Sequence, residues 1–152
     1  MSEPIFRRAE QADLPAIVAM LADDILGQQR EDTRMPLATS YVHAFQAIQA
    51  DPNQFLAVVE LNGEVIGTLQ ISYMPGLSHQ GAWRGEIESV RIAQSARGSG
   101  LGRKMIIWAV EQCRARQCRI VQLTSDLKRV DAHRFYEHIG FTGSHKGYKM
   151  ML

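Results

Sequence analysis

Residues 90–104 read VRIAQSARGSGLGRK, which is the most informative segment of the chain. An apolar segment typical of a strand runs into a turn with glycines at positions 98, 100 and 102, and a helix-like segment follows at once. Such glycines allow several backbone N–H groups to face one point, and a helix that starts there adds about half a positive charge. The spacing matches neither the P-loop nor the dinucleotide-binding fingerprint. The pattern predicts a phosphate-binding turn, with a glycine-rich connection that binds no ligand as the alternative.

Regular elements extend from this turn in both directions. Asn62-Gly63 separates two β-rich runs, 54–60 and 64–73, and this dipeptide is a strong hairpin signal. A third strand is predicted over 85–92. The helix after the turn has one apolar face at helical spacing, formed by Gly102, Met105, Ile106, Ala109, Val110 and Cys113.

The ends of the chain give weaker signals. Asp13 is a plausible N-cap of a first helix that extends through Ile25 and ends at Gly27. A polar loop over 28–36 and a second helix from about residue 39 follow. After the central helix we predict a strand over 119–124, a helix over 131–139, and a final hairpin or strand over 141–152. This order, β-α-α-β-β-β-α-β-α-β, predicts a mixed α/β (α+β) fold around one sheet.

Length and composition exclude several classes. The chain has 152 residues, which suggests a single domain over 1–152. Seventeen basic and sixteen acidic residues give a net charge of +1, which argues against a nucleic-acid partner. The apolar runs are too short for a membrane span, and the first residues do not resemble a secretory signal. Cys113 and Cys118 lack partners at zinc-site spacing, so we expect reduced thiols and a cytoplasmic protein.

Two motifs carry a resemblance to a known family. Residues 97–102, RGSGLG, fit the Q/R-x-x-G-x-G/A motif of the GNAT superfamily of N-acetyltransferases. Residues 131–141, DAHRFYEHIGF, resemble the family's A-x-x-F-Y-x-x-x-G-F signature. The element order is similar to the GNAT fold over essentially the whole chain, and the C-terminal half from Gly85 is similar to aminoalkylphosphonate N-acetyltransferases. One departure is Arg129, where many relatives have an Asn that contacts the cofactor.

The resemblance implies a fold and an activity. The implied fold has a mostly antiparallel twisted sheet, splayed between strands 4 and 5 and flanked by about four helices. The implied activity is transfer of acetyl from acetyl-CoA, as cosubstrate, to the primary amine of a small molecule by direct attack in a ternary complex. The backbone N–H near Val90 would polarise the thioester carbonyl. The residues implied to bind the cofactor are Val90, Ile92, Arg97, Gly98, Ser99, Gly100, Leu101, Gly102, Arg103, Ala132 and Phe135.

Acetyl transfer also needs an acid and a base. Tyr136 is the candidate acid because a phenol with a pKa near 10 is protonated at neutral pH and can donate to the departing thiolate. Its alternative role is a packed aromatic on the helix face. Glu88 is the candidate base because it is nearer the implied splay between strands 4 and 5, and Glu86 is its reserve. Alternation puts both glutamates on one face of the strand unless a bulge intervenes. Two salt-bridged carboxylates are the alternative.

Other functions stay open at this point. The same fold suits a non-catalytic acyl-CoA-binding sensor or interaction module, and an acetyltransferase could also modify a protein N-terminus or lysine. A homodimer is a further expectation that sequence does not decide. No metal site is predicted, because His79, His133, His138 and His145 do not stand at ligand spacing.

Overall fold

A five-stranded sheet is the centre of the computed structural model, which describes residues 2–152. The strands lie side by side in chain order, and all neighbouring pairs are antiparallel except the last, which is parallel. This arrangement confirms the predicted mixed α/β fold with a mostly antiparallel sheet. The strands are β1 (Ile5–Arg8), β2 (Gln54–Leu61), β3 (Glu64–Met74), β4 (Arg84–Ile92) and β5 (Ile120–Gln122).

The described residues contain six helices rather than about four. They are α1 (Leu14–Ala22), α2 (Ile25–Arg30), α3 (Thr39–Ala50), α4 (Ser78–Gly81), α5 (Leu101–Ala115) and α6 (Val130–Ile139). Short 3-10 turns at Gln11–Asp13 and Gln94–Ala96 precede α1 and α5.

The chain divides into two compact units. The first unit extends to Gln122 and contains the sheet with α1 to α5. The second unit, Leu123–Leu152, contains α6. No helix within residues 2–152 combines the length and the apolar character that a membrane crossing requires.

The hairpin prediction is confirmed, and it sets the register of the sheet. Leu61 pairs with Glu64, and the two residues between them, Asn62 and Gly63, have φ of 52° and 80°. Two positive φ angles are what a two-residue turn of the favoured twist requires. The long β2–β3 ladder that follows fixes which side chains of both strands share a face of the sheet.

Helices cover both faces of the sheet. On one face α5 lies close to the strands: a Cβ placed on Gly67 would be 2.9 Å from Met105 Sδ, and one on Gly85 would be 2.3 Å from Cys113 Sγ. On the other face α1 and α3 pack against β2 through a fully apolar cluster. The buried members of this cluster are Leu14, Ile17, Phe45 and Val58.

The contact between β4 and β5 is short. Their ladder joins only the first three residues of β4, Arg84 to Glu86, to Ile120, Val121 and Gln122. From residue 87 to Ile92, β4 has no β5 partner among the described residues. The ladder ends at Glu86 because β5 itself ends at Gln122, and the splay between strands 4 and 5 stays a prediction.

The first helix was predicted with the wrong end. It stops at Ala22, and Asp24 then caps the separate helix α2, since its side chain accepts a hydrogen bond from the N–H of Gly27. Gly27 thus lies inside α2 instead of ending α1. The local reason is the capping preference of Asp24, which competes with continuation of the apolar stripe.

The prediction of a final strand or hairpin over 141–152 is also wrong. The described residues Phe141 to Leu152 contain no strand. The segment carries glycines at 143 and 147, and its apolar residues 150–152 are consecutive rather than alternating. Glycines weaken a strand, and a run without alternation does not define a buried face.

Candidate functional site

The predicted phosphate-binding turn is open, and its amides are available. β4 ends at Ile92, and α5 begins at Leu101 with Gly100 as its N-cap. Gly98 and Gly100 have φ of 77° and 82°, a left-handed backbone that favours glycine, and nothing lies within 4 Å of a Cβ built on either. No side chain caps the helix, so the N–H groups of its first turn have no acceptor inside it. This segment, residues 97–103, is called the cradle below.

The charges around the cradle come from three cationic side chains. Arg97 is held by the end of α1, with Nη2 donating to Asp23 Oδ2 at 3.0 Å, while its Nε donates to the carbonyl of Ile92 at 3.3 Å. Arg103 and Lys104 are exposed in the first turn of α5. The Arg97–Asp23 pair is about half exposed, and such pairs contribute little to stability, so an anion in the cradle could compete for the guanidinium.

A cleft adjoins the cradle within the first unit. It has a volume of about 540 Å³ and is formed by the end of α1, α2 and the residues after β4. Asp23, the partner of Arg97, is one of its lining residues, together with Gln28, Thr33, Ala93 and Gln94. The cleft is wide open to solvent, and one of its lining residues, Asp23, borders the cradle through Arg97.

A bulge interrupts β4 just before the cradle. Gln70 pairs with Glu88 and Thr68 with Arg91, so β4 has one more residue than β3 between these points. Neither Ser89 nor Val90 has a register partner, and Ser89 has φ of 54°. A bulge removes residues from the ladder and re-aims the strand. Val90, the residue predicted to polarise the carbonyl, lies at this irregularity, and Ile92 returns to the ladder opposite Gly67.

The two candidate bases lie on one face of the sheet. Glu86 is opposite Ser72 and Glu88 opposite Gln70, both ahead of the bulge. Glu88 is exposed and Glu86 is partly buried. The intervening Ile87 is buried on the opposite face, so the alternation expected from sequence holds as far as Glu88.

A polar row on the same face was missed by sequence reasoning. Gln54 Oε1 accepts hydrogen bonds from Gln70 Nε2 and from Ser72 Oγ, both at 2.9 Å. Ser72 Oγ also lies 3.5 Å from Glu88 Oε1. The signal was present in the sequence, because Thr68, Gln70 and Ser72 alternate with Leu69, Ile71 and Tyr73 along β3. This alternation shows that the three polar side chains share one face of β3, but it does not show which residues of β2 and β4 lie beside them.

The remaining predicted residues lie on α6 in the second unit. Ala132, Phe135 and Tyr136 are partly buried on one side of this helix. The Tyr136 ring meets Phe135 edge-to-face at 5.2 Å between centroids and Phe141 at 6.0 Å. The loop before α6 is tied to it, since the N–H of Arg129 donates to the Asp126 carbonyl and His133 Nε2 lies 2.8 Å from the same oxygen. Arg129 is the N-cap residue of α6.

Both cysteines are free thiols, Cys113 buried and Cys118 partly buried. Burial, followed by the neighbouring Cys118, raises the pKa of Cys113 to about 12, and burial also raises the pKa of Cys118. A thiol with such a pKa is protonated at neutral pH and is a poor nucleophile. Within residues 2–152, no group of three or more His, Cys, Asp or Glu side chains is placed to hold a metal ion.

Comparison with known families decides the assignment. The model of the Acetyltransferase (GNAT) family matches residues 22–141, which include the bulge, the cradle and α6. The chain belongs to this family. The resemblance drawn from the motifs of residues 97–102 and 131–141 is confirmed.

Two curated relatives of this GNAT protein are N-acetyltransferases. An aminoalkylphosphonate N-acetyltransferase from Salmonella typhimurium is 35% identical over 101 residues, which are 66% of this chain and 65% of that protein. A glucosamine 6-phosphate N-acetyltransferase from Trypanosoma brucei brucei is 31% identical over 90 residues, 59% of each protein. The matches thus span less than two thirds of the length of these relatives.

A solved structure is similar over the full chain. A protein from Bacillus halodurans described as a transcriptional regulator superposes with a TM-score of 0.96 at 45% identity, covering 99% of this chain and 100% of that one. The GNAT fold described above is therefore shared by a chain with a non-enzymatic description.

Proposed function

We propose that the protein is an acetyl-CoA-dependent N-acetyltransferase that modifies the primary amine of a small molecule. The observation that carries the proposal is the uncapped, glycine-flanked start of α5 directly after the β4 bulge. Family membership and the names of the two curated relatives support the reaction class. We further propose that residues 1–152 act as one N-acetyltransferase domain and that the protein is cytoplasmic.

The cradle would bind the pyrophosphate of acetyl-CoA. Backbone N–H groups at a helix N-terminus favour an anion because they are unpaired donors at the positive end of the helix dipole. Arg103 and Arg97 add full positive charges beside these donors. The residues proposed to contact the cofactor remain those predicted from sequence, with Ala132 and Phe135 contributed by α6.

The reaction would proceed by direct attack. The amine nitrogen forms a bond to the thioester carbonyl carbon, the carbon–sulfur bond breaks, and the thiolate receives a proton from the Tyr136 hydroxyl. The second proton that the nitrogen loses as the amide forms returns to the Tyr136 phenolate, directly or through a water. Glu88 accepts the proton that the acceptor ammonium must lose, directly or through a water. A backbone N–H near Val90 stabilises the developing oxyanion, and a preorganised donor of this kind lowers the barrier by about 3 kcal/mol.

A second candidate is a non-catalytic acyl-CoA sensor. The specific observation in its favour is the description of the Bacillus halodurans structure as a transcriptional regulator. Both candidates use the same cradle, so binding of CoA does not separate them. Only the enzyme needs an acid and a base.

Thiol release with a panel of amines tests the proposal. Free CoA is measured with a thiol reagent after acetyl-CoA is mixed with aminophosphonates, amino sugars, amino acids and polyamines, while calorimetry measures acetyl-CoA binding. The enzyme releases CoA only with an accepted amine, and the product is an amide by mass spectrometry. Binding of acetyl-CoA without release for every amine would favour the sensor, and modification of protein amines alone would exclude a small-molecule acceptor.

A further inference from the structure

The polar row beside Glu88 crosses three strands on one face of the sheet. Gln54 is on β2, Ser72 on β3 and Glu88 on β4. The Ser72 hydroxyl lies between two acceptors, at 2.9 Å from Gln54 Oε1 and 3.5 Å from Glu88 Oε1. Gln70 Nε2 donates a second hydrogen bond to Gln54 Oε1, at 2.9 Å. The amide oxygen of Gln54 is thereby directed toward Ser72.

The number of donor hydrogens in the row depends on the protonation state of Glu88. A serine hydroxyl has one hydrogen to donate and lone pairs to accept with, whereas an ionised carboxylate only accepts. When Glu88 is ionised, the single Ser72 hydrogen can be donated either to Gln54 or to Glu88, while Gln54 keeps the hydrogen bond from Gln70. When Glu88 is protonated, it can donate to Ser72 while Ser72 donates to Gln54, so both contacts of Ser72 are made at once.

We propose that Ser72 is a positioning residue whose hydroxyl turns between Gln54 and Glu88 as Glu88 loses or gains a proton, and that Gln54 strengthens the hold of Glu88 on that proton. This inference rests on the proposed function for its use in catalysis, since a base is most effective when its proton affinity matches the working pH. The hydrogen-bond exchange itself is a property of the folded protein and can be measured without turnover.

Other charged groups lie on the elements around the row, and one of them, Glu86, is the register partner of Ser72. On β4, Glu86 and Arg84 share the face of Glu88, and Arg84 Nη1 donates to Gln122 Oε1 on β5 at 3.3 Å. Beyond the bulge, Arg91 pairs with Asp24 at 3.7 Å. From α1, residues 14–22 contribute no charged side chain, while Arg7 on β1, Glu60 on β2 and Asp13 before α1 are paired with one another. These groups are identical in all the variants below, so their effects cancel in the comparison.

The test is a carboxyl titration of Glu88 followed by NMR. The side-chain carboxyl ¹³C signal of Glu88, assigned by its loss in Glu88→Gln, is recorded against pH in the full chain. Gln54→Met removes the acceptor that Ser72 uses when Glu88 is protonated, so the titration midpoint should move down by about half a pH unit. Ser72→Thr keeps the hydroxyl, and Gln54→Met should produce the same shift in that background.

The decisive comparison is Gln54→Met in the Ser72→Ala background. If Gln54 acts through the hydroxyl, the substitution no longer moves the Glu88 midpoint there. A shift that persists without the hydroxyl would assign the effect to the released Gln70 amide and overturn the proposal, as would the absence of a shift in the wild-type background. Ser40→Ala, which removes an exposed hydroxyl from α3, is the matched control and should leave the midpoint unchanged.

Rate profiles separate this inference from the proposed function. If kcat/KM against pH follows the NMR midpoint in each variant, Glu88 is both the titrating group and the base. If the NMR shifts appear while the acidic limb of the rate profile stays in place, the hydrogen-bond exchange is correct and the role of Glu88 as base is wrong. The fold of each variant is checked by its amide spectrum.

Discussion

Removal of the Tyr136 hydroxyl distinguishes the two roles considered for this residue, a packed aromatic ring and a proton donor. Its ring meets Phe135 and Phe141 edge-to-face, and Tyr136→Phe keeps this ring. Removal of the hydroxyl alone should change the free energy of unfolding by about 1 kcal/mol. If the hydroxyl donates the proton to the thiolate, kcat should fall by about 10²–10⁴-fold.

The measurements are steady-state CoA release and urea unfolding of Tyr136→Phe. Tyr148→Phe, which removes a hydroxyl from an exposed ring in the same unit, is the control and should retain full kcat. Wild-type turnover in Tyr136→Phe would return the residue to its structural alternative, a packed aromatic.

Glu88 allows a second prediction, about pH. Glu88→Gln removes the proton acceptor but keeps the size of the side chain, so the acidic limb of kcat/KM should disappear while acetyl-CoA affinity is unchanged. An acceptor amine with a low pKa arrives largely neutral and needs less help, so the loss should be smaller for it than for an amine with a high pKa. Profiles with one amine of each kind provide the measurement. Equal losses for both amines would mean that Glu88 positions the acceptor instead.

The turn into α5 allows cofactor binding to be separated from backbone strain. Gly100 and Gly63 have φ of 82° and 80°, and in both cases nothing lies within 4 Å of an added Cβ. Gly100→Val and Gly63→Val should each lose about 1–2 kcal/mol of stability, because a β-branched residue is strained in the left-handed region. Only Gly100→Val should also weaken acetyl-CoA binding, by about tenfold or more, since its side chain blocks the approach of the pyrophosphate to the backbone. Calorimetry on the two folded variants decides; equal affinities would exclude the cradle as the binding site.

The packing of α5 on β4 gives a prediction about stability alone. A Cβ on Gly85 would lie 2.3 Å from Cys113 Sγ and 3.2 Å from Cys113 Cβ, and Cys113 is fully buried. Gly85→Ala should destabilise the protein by about 1–3 kcal/mol, as overpacking does, and the penalty should be smaller in a Cys113→Ala background that lacks the sulfur. Gly76→Ala is the control, because its Cβ would meet only a carbonyl oxygen at the ordinary distance of 3.7 Å. Urea unfolding measures all four variants, and an equal penalty with and without the sulfur would contradict this packing.

The predictable elements are those with strong local signals. The β2–β3 hairpin follows from Asn62-Gly63, and α5 follows from its apolar face, so both were predicted from sequence. The bulge was not located, because Ser89 has no local preference for positive φ and is placed there by the pairing of β4 with β3. The Gln54–Ser72–Glu88 row was missed for a similar reason, since its members come together only through the register of three strands.

The balance of charge over the chain makes acid stability depend on specific pairs. With a net charge of +1 at neutral pH, general repulsion is small, but protonation of the carboxylates leaves seventeen Lys and Arg residues and five His without compensation. The Asp13 carboxylate, which is buried, resists this protonation. The Arg7 guanidinium, which donates to both oxygens of Asp13 at 2.7 and 3.1 Å, lowers the pKa of Asp13, with further help from the N–H of Glu10 and against the effect of burial.

The lowered pKa of Asp13 predicts how stability depends on pH. Because the pKa of Asp13 is below its ordinary value of 3.8, its ionised form stabilises the folded state above that value, and this contribution is lost as the pH falls through the folded-state pKa. Asp13→Asn should cost about 1–3 kcal/mol at neutral pH, where Arg7 loses a charged partner, and the deficit should shrink steadily below about pH 4. Glu64→Gln, which removes an exposed carboxylate beside the β2–β3 turn, is the matched control for the change in net charge and should cost little at neutral pH. The free energy of unfolding of the three proteins, measured in urea at several pH values, tests this, and an Asp13→Asn deficit that persisted or grew in acid would show that the Arg7–Asp13 pair does not contribute to stability through its charge.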